Sequence, residues 1–471
     1  MIRRMLIANR GEIAVRIIRT CKQMQIKTVA VYSQADRDAL HVQLADQAVC
    51  IGGPRSADSY LNIQNVLSAA CLTGCDAVHP GFGFLSENAG FARLVQECGL
   101  TFVGPSPEII EAMGDKANAK EAMRKAGVPV IPGSDGIVET AEEGKKTAEE
   151  LGYPVLIKAS AGGGGRGMRL AENPEEFEAA FRAASAEAEA AFGDGRVYLE
   201  KFILRPKHIE VQLMGDQFGS VVHLYERDCS LQRRNQKLIE EAPAHCLSRS
   251  QREALYADAV RAAEAVGYDS VGTIEFLFDA RGMYYFMEMN TRIQVEHTVS
   301  ETVTGIDLIR MQIRIAEHQH LNISQEDIHL KGHAIECRIN AENAEAGFAP
   351  SPGRISFMNM PGGRGVRVDT AAYTGAEIPP YYDSMIMKLI TSDDTRLGAI
   401  RAMRAALEEL VIEGIDTNIG FLYMLLFQPE VLSGRYDTHY LETFIDSVDR
   451  IRERQKKSNT EEIRESEAQS A

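Results

Sequence analysis

The 471-residue sequence contains no apolar run long enough to span a bilayer. Its N-terminus, MIRRMLIANRGE, is basic, but the apolar stretch stops at Ala8, before Asn9 and Arg10, which is too short for a secretory signal core. It also lacks positive charge in excess: 51 Lys and Arg against 67 Asp and Glu give −16 at pH 7. That balance disfavours general binding to nucleic acid or an anionic membrane and confines any phosphate site to a local cluster. The eight cysteines, at 21, 50, 71, 75, 98, 229, 246 and 337, have no paired metal-ligand spacing. Cys71, Cys75 and His79 recur every four residues, but no second pair follows and the neighbours are Ala, Leu and Val, so packing is expected of them. Scattered reduced thiols fit a cytoplasmic location. No repeat of solenoid length is present. What remains is ordinary for a globular protein, 45% hydrophobic and 25% charged, with length for two to four domains and a substantial core.

RRMLIA, EIAVRIIRTCKQM and KTVAVYS predict strand, helix and strand, with Ile13, Ile17, Ile18 and Cys21 on one helical face. The intervening turn, ANRGEIA, has one glycine and no G-x-G-x-x-G, which disfavours a dinucleotide site. DAVHPGFGFLSEN and TFVGPS are again short apolar runs ending in Gly/Pro turns, where an open parallel sheet binds ligands. A second region begins near MGDKANAK. TAEEGKKTAEELG opens on a T-x-x-E capping box, and NPEEFEAAFRAASAEAEAAFG has Asn at the N-cap, Pro at N1 and Glu at N3. From about Gly332 a third region, with HAIECRINAE and GAIRAMRAALEELV, reads as α+β. The closing RIRERQKKSNTEEIRESEAQSA is polar and expected to be frayed or disordered.

Three stretches carry candidate chemistry. In YPVLIKASAGGGGRGMRLAE, strand-like runs flank a glycine loop that includes Gly163, Gly164, Gly165 and Gly167. Bare backbone N–H groups there can cradle phosphate, and with Lys158 just before it the loop suits a mobile phosphate cover, although it is no Walker A sequence. A flexible surface turn is the alternative. In FMEMNTRIQVEH, Glu288, Asn290, Arg292, Gln294 and Glu296 fall at every second position, so an extended chain would present them on one face. TIEFLFDARGMYYFMEMN reads as a hairpin with loop DARG, Phe278 opposite Met283 and Glu275 opposite Phe286. Parity then puts Glu275 diagonal to Glu288, where a hard cation such as Mg²⁺ would relieve the repulsion between carboxylates. A solvated polar face would give the same alternation. Arg292 offers planar donors for a small oxyanion and Glu296 a proton acceptor. Lys237, in LQRRNQKLIEEAP, and Arg338, in ECRIN, are further candidate cations, against surface decoration and a structural ion pair respectively.

In order along the chain, IANRGEIAVRIIR, HPGFGFLSEN, MGDK, KASAGGGGRGM, ERDCSLQRRNQK, EEAP, GTIEFLF, EMNTRIQVEH, GHAIECRINAE and PPYYDSMI resemble the signatures of biotin carboxylases, which are ATP-grasp enzymes. The likeness runs from Ile7 to about Tyr440. It implies an α/β and α+β multidomain fold: a Rossmann-like domain over residues 1–113, an ATP-grasp domain over 114–330 with a mobile lid at about 131–203, a C-terminal α+β domain over 331–446, and a polar tail over 447–471. The implied reaction uses ATP and bicarbonate to form carboxyphosphate and carboxylates biotin held on a carrier protein. By resemblance, Lys116 and Lys158 hold ATP phosphates under the glycine loop, Glu200 to Ile203 face adenine, and His208 lies near the nucleotide. Glu275, Glu288 and Asn290 bind Mg²⁺ or Mn²⁺. Lys237, Arg292 and the Val295 N–H hold bicarbonate, Glu296 is its base, Arg338 stabilises the biotin enolate, and Gln232 and Gln294 orient substrates.

Four positions depart from the common bacterial pattern. Phe82 stands for a tyrosine that could contact biotin, Ala161 for glycine, Asn235 for histidine and Thr298 for proline. None removes a proposed catalytic group. The expected partners are a biotin carboxyl carrier protein and carboxyltransferase subunits, with acetyl-CoA carboxylase and fatty-acid synthesis as the setting and a homodimer as the family's habit. The sequence has no A-M-K-M biotin-attachment pattern, and Lys388, inside apolar SMIMKLI, is a poor carrier lysine, so a separate carboxylase subunit is expected. Alternatives are a subunit of another acyl-CoA or pyruvate carboxylase, a generic ATP-grasp carboxylate–amine ligase, and a nucleotide-binding scaffold without turnover.

Overall fold

The structure, a computed structural model, describes residues 1–160 and 167–448. Gly163, Gly164 and Gly165, and residues 449–471 of the polar tail, lie outside the described residues.

The N-terminal region is a five-stranded parallel sheet in the order Gln47–Gly52, Lys27–Ser33, Arg4–Ile7, Ala77–His79, Thr101–Phe102. Ile13, Ile17, Ile18 and Cys21 of the Gly11–Gln23 helix are all buried, as an amphipathic period requires. Strand order reverses at Arg4–Ile7, so the switch point that takes ligands lies beyond Ile7 and His79. Asn9 ties the two turns leaving it, its Nδ2 donating to the Pro80 and Phe82 carbonyls at 2.7 Å each. Gly81, between them, has φ +64°, and a Cβ there would sit 2.9 Å from Asn9 Nδ2. Cys75 and His79 are packed in the interior and Cys71 is exposed.

Asp115 ends the Pro107–Gly114 helix and caps the next, accepting from the Ala117 and Asn118 N–H groups, which makes Lys116 the first residue of Lys116–Lys125. A small sheet of Met168–Ala171, Val155–Ala159 and Val197–Lys201 follows. Helices Ala141–Leu151 and Pro174–Phe192 back it around Val138, Ile157, Phe177, Phe181 and Leu199. Both helices start where their caps predict, Thr140 accepting from Glu143 N–H and Asn173 from Glu176 N–H.

The largest sheet has eight antiparallel strands, ordered Tyr284–Asn290, Val271–Phe278, Lys207–Gly215, Val221–Arg233, Gln236–Ala242, His333–Asn340, Met385–Asp393, Val366–Thr370. It runs straight across residues 330 and 331: Gln236–Ala242 pairs with His333–Asn340, from Ile239 opposite Cys337 to Ala242 opposite Ala334. The third region therefore extends the second region's sheet, covered by helices Arg396–Glu409 and Ile419–Leu425 over Leu231, Ile339, Leu389, Met403 and Leu422.

The hairpin reading needs two corrections. Phe278 pairs with Tyr284 and not Met283, because Asp279 N–H donates to the Met283 carbonyl and the loop takes one more residue. A bulge then shifts the register once more, so Glu275 stands directly opposite Glu288, where Phe286 was expected. Nor does the polar row continue as one strand. Extended structure ends at Asn290, a turn carries Arg292 to Glu296, and the His297–Thr304 helix begins there.

Candidate active site

Lys237 sits where three carboxylates converge. Its Nζ donates to Glu210 Oε2 at 2.6 Å, Glu275 Oε1 at 3.0 Å and Glu296 Oε1 at 2.6 Å. Sheet register explains the convergence, since Glu210 lies opposite Glu275 and Lys237 opposite the buried Gln232. The second Glu296 oxygen accepts from Arg338 Nη2 at 2.8 Å, and Arg338 Nε donates to Glu240 at 2.5 Å. Behind these groups the wholly buried Arg227 donates to Glu210 and Gln212, each at 2.6 Å, to Ser300 at 2.9 Å and to Thr273 at 3.1 Å. His208 Nε2 is 3.1 Å from Glu275 Oε2.

The chain of contacts continues through the turn. Gln294 Nε2 donates to Glu275 Oε1 at 3.1 Å. Arg292 Nη1 donates to Gln294 at 2.9 Å, its Nη2 to Asn290 Oδ1 at 3.0 Å and its Nε to Glu87 at 2.7 Å. The predicted residues Lys237, Glu275, Asn290, Arg292, Gln294, Glu296 and Arg338 thus form one network. Others stand in separate groups. Lys116 pairs with Glu288 at 3.4 Å, and Glu200 is held by Lys158 at 2.5 Å and Lys120 at 3.2 Å. Ile203 and Phe82 are half-buried, Phe82 at the switch-point turn, and the Val295 carbonyl accepts from Lys388. Gly167 has φ +70°, and a Cβ there would lie 2.8 Å from Ala159 Cβ.

The electrostatics follow from burial set against partners. Burial works against charge on Glu296, but Lys237, Arg338 and Arg227 outweigh it and hold its pKa well below the ordinary value. Glu275 is likewise lowered, burial being overcome by Lys237 and His208. Lys237 is raised against its burial by Glu210, Glu275 and Glu296. Glu240 goes the other way: burial pushes it to about 7 despite Arg338. Glu336, opposite Glu240, is pushed to about 8, again by burial, and accepts a hydrogen bond from Thr298.

Among the described residues, two groups of candidate ligand atoms lie within 4.8 Å of one another: His208, Glu210 and Glu275, and Glu210, Cys229 and Glu296. Both share carboxylates that Lys237 already bridges, so the ammonium itself supplies the positive charge there. Glu275, which Lys237 and His208 also touch, stands opposite Glu288, with Asn290 opposite Thr273 near them, a set of hard oxygen donors of the kind Mg²⁺ or Mn²⁺ prefers.

Reading from sequence misses Glu210, Arg227, Glu240, Lys120 and Glu87. A signal existed for the first, because KHIEVQLMG alternates His208, Glu210 and Gln212 with Ile209, Val211 and Leu213, the same parity as FMEMNTRIQVEH. Glu87 and Lys120 had none, since an isolated charge on a turn or helix reads as surface. Asn235, by contrast, is explained. With Arg234 it makes the two-residue turn closing the Arg233–Gln236 pair at φ +49° and +63°, a left-handed conformation that asparagine adopts readily.

Such an antiparallel core, preceded by a small α+β body with a glycine loop between two of its strands, defines an ATP-grasp enzyme. Residues 1–110 match the family model for the biotin carboxylase N-terminal domain, 115–324 that for the carbamoyl-phosphate synthase L chain ATP-binding domain, and 336–443 that for the biotin carboxylase C-terminal domain. The chain is 56% identical over 439 residues to a biotin carboxylase of Nostoc sp., covering 93% of this chain and 98% of the relative. A Campylobacter jejuni biotin carboxylase solved with β-γ-ATP superposes at TM-score 0.92 and 51% identity, covering 94% of this chain and 99% of that one. The biotin carboxylase domain dimer of Hydrogenobacter thermophilus 2-oxoglutarate carboxylase, solved with MgADP, ADP and bicarbonate, gives 0.90 and 51%, covering 94% and 98%. The chain belongs to the biotin carboxylase family and is an ATP-dependent ligase.

Proposed function

We propose that the chain carboxylates biotin on a carrier protein, using ATP and bicarbonate through carboxyphosphate. The observation that carries this is Glu296, an ionised carboxylate held between Lys237 and Arg338. Bicarbonate entering beside Lys237 and Arg292, with the Val295 N–H, takes over part of the field that now restrains Glu296 and leaves it a better base. Glu296 removes the bicarbonate proton, and the oxyanion attacks the γ-phosphate. Lys116, Lys158, Glu200, Ile203, His208 and Gln232 hold and orient the nucleotide, with Gly163, Gly164, Gly165 and Gly167 supplied by the loop. Mg²⁺ or Mn²⁺ on Glu275, Glu288 and Asn290 would neutralise charge developing on phosphate oxygens. Carboxyphosphate then splits into CO₂ and phosphate, the phosphate takes the N1′ proton of biotin, and Arg338 stabilises the resulting enolate while its nitrogen attacks CO₂, with Gln294 and Phe82 contributing to the biotin site.

The assembly we favour is acetyl-CoA carboxylase in fatty-acid synthesis, with a biotin carboxyl carrier protein, carboxyltransferase subunits, a homodimer of this chain and a cytoplasmic setting. The likeness to the Hydrogenobacter thermophilus domain supports a second acceptor class, the 2-oxo acids. No helix among the described residues is long and apolar enough to cross a membrane. The test is phosphate release with ATP and Mg²⁺, with and without bicarbonate and free biotin. Release should require bicarbonate, rise with biotin, and fall at least about 100-fold in Glu296→Ala and Arg338→Ala. Turnover indifferent to bicarbonate and biotin would instead favour the generic ATP-grasp ligase.

A further inference from the structure

Lys388 is wholly buried, lies on the Met385–Asp393 strand, and is none of the groups to which the reaction assigns a role. Its Nζ donates to the Val295 carbonyl at 2.8 Å and lies 3.1 Å from Glu12 Oε1. Glu12 is itself buried, on the second residue of the Gly11–Gln23 helix, just after the switch-point turn. Lys388 also stands directly opposite Arg338 on one neighbouring strand and Asp369 on the other, so the three share a face of the sheet. One ammonium therefore joins the N-terminal helix, the turn between Arg292 and Glu296, and the C-terminal part of the sheet.

The bonded atom is what gives this junction a function. The Val295 carbonyl and the Glu296 nitrogen belong to one planar peptide unit, so fixing that oxygen fixes the plane from which the Glu296 side chain departs. Glu296 then begins the His297–Thr304 helix, and both its carboxylate oxygens are engaged, one by Lys237 and one by Arg338. Glu12 is the carboxylate that approaches Lys388, at 3.1 Å, with burial raising its own pKa and Lys388 pulling it back, and Asp369 and Glu336 also face the ammonium.

We propose that Lys388 is a positioning residue for the bicarbonate step: by holding the Val295–Glu296 peptide it aims the base, and Glu12 anchors the Lys388 amine from the N-terminal helix. This rests on Glu296 being the base, as proposed above. The rival is a bolt between regions with no bearing on chemistry. Lys388→Met combined with Glu12→Gln removes both charges together and leaves neither buried alone. In the folded double variant, the KM for bicarbonate should rise at least about tenfold and kcat fall about 100-fold, the cost expected of a base displaced by about 1 Å. The KM for ATP should stay within about twofold, and the acidic limb of kcat/KM for bicarbonate should move. Lys388→Arg keeps the charge and the pairing with Glu12 but reaches past the carbonyl, and should show the same bicarbonate-selective loss in milder form. It decides the matter if the double variant does not fold. Wild-type bicarbonate kinetics in either folded variant, or equal loss of ATP and bicarbonate affinity, would overturn the proposal while leaving the carboxylase reading intact. Bicarbonate-independent turnover by the unsubstituted protein would instead overturn that reading and this proposal with it.

Discussion

Glu336 and Glu240 face each other across two central strands, and burial, which disfavours their charged forms, pushes both above an ordinary glutamate, to about 8 and about 7. In the unfolded chain both return to 4.5. The folded protein thus binds protons that the unfolded chain has released, and the stability this contributes is full below pH about 4.5 and lost as pH rises through 7 to 8. Glu241 has the opposite sign. Burial would raise it, but His333 and Arg396 outweigh that and lower it to about 2, so its contribution is present above 4.5 and lost as pH falls towards 2. Glu336→Gln should therefore flatten the decline of Tm between pH 5 and 8, because an amide has nothing to titrate. Thermal melts across that range would give the answer, and a slope unchanged from wild type would show that Glu336 is ionised throughout. The pair also gives Thr298 a role: its hydroxyl donates to Glu336, a bond that a proline there could not make.

At the level of strands and turns, the Arg234–Asn235 turn is the sharpest test, since both residues lie in the left-handed region. Asn235→Ala should cost about 1 kcal/mol, the penalty for an ordinary side chain there, whereas Asn235→Gly should be close to neutral. Urea midpoints of the two variants measure the difference, and equal midpoints would contradict the turn. This turn and the neighbouring hairpin mark how far the sequence was legible. Alternation in FMEMNTRIQVEH correctly collected Glu288 and Asn290 on one face, because pleating sets parity without reference to a partner. It could not reveal the bulge that brings Glu275 opposite Glu288, since a bulge is a property of two strands read together. Nor could it show that the strand stops at Asn290, leaving Arg292 and Glu296 to reach the site from a turn. Helix starts were legible for the converse reason: Asn173 with Pro174, and Thr140 with Glu143, act within one turn of chain. Long-range partners such as Glu240 and Lys388 were not. A single charge in an apolar strand looks the same whether it meets solvent or a buried counter-ion.

Across the whole molecule, the eight-stranded sheet matters most, because it ignores the boundary suggested by composition near residue 330. A fragment of residues 1–330 would keep Gln236–Ala242 but lose its partner strand, leaving a row of unpaired N–H and C=O groups at a fresh edge. It should self-associate on expression, and co-expressed residues 331–448 should restore a species of the mass of one intact chain in light scattering. A monomeric, well-folded 1–330 fragment would count against the sheet as drawn. The same continuity bears on how such a gene can change over generations. A recombination event that imported a foreign C-terminal region would have to match all four rungs from Ile239–Cys337 to Ala242–Ala334, which makes an exchange at this seam costly. The small glycine-loop body, which keeps a core and a sheet of its own, can lengthen or be replaced without disturbing that seam.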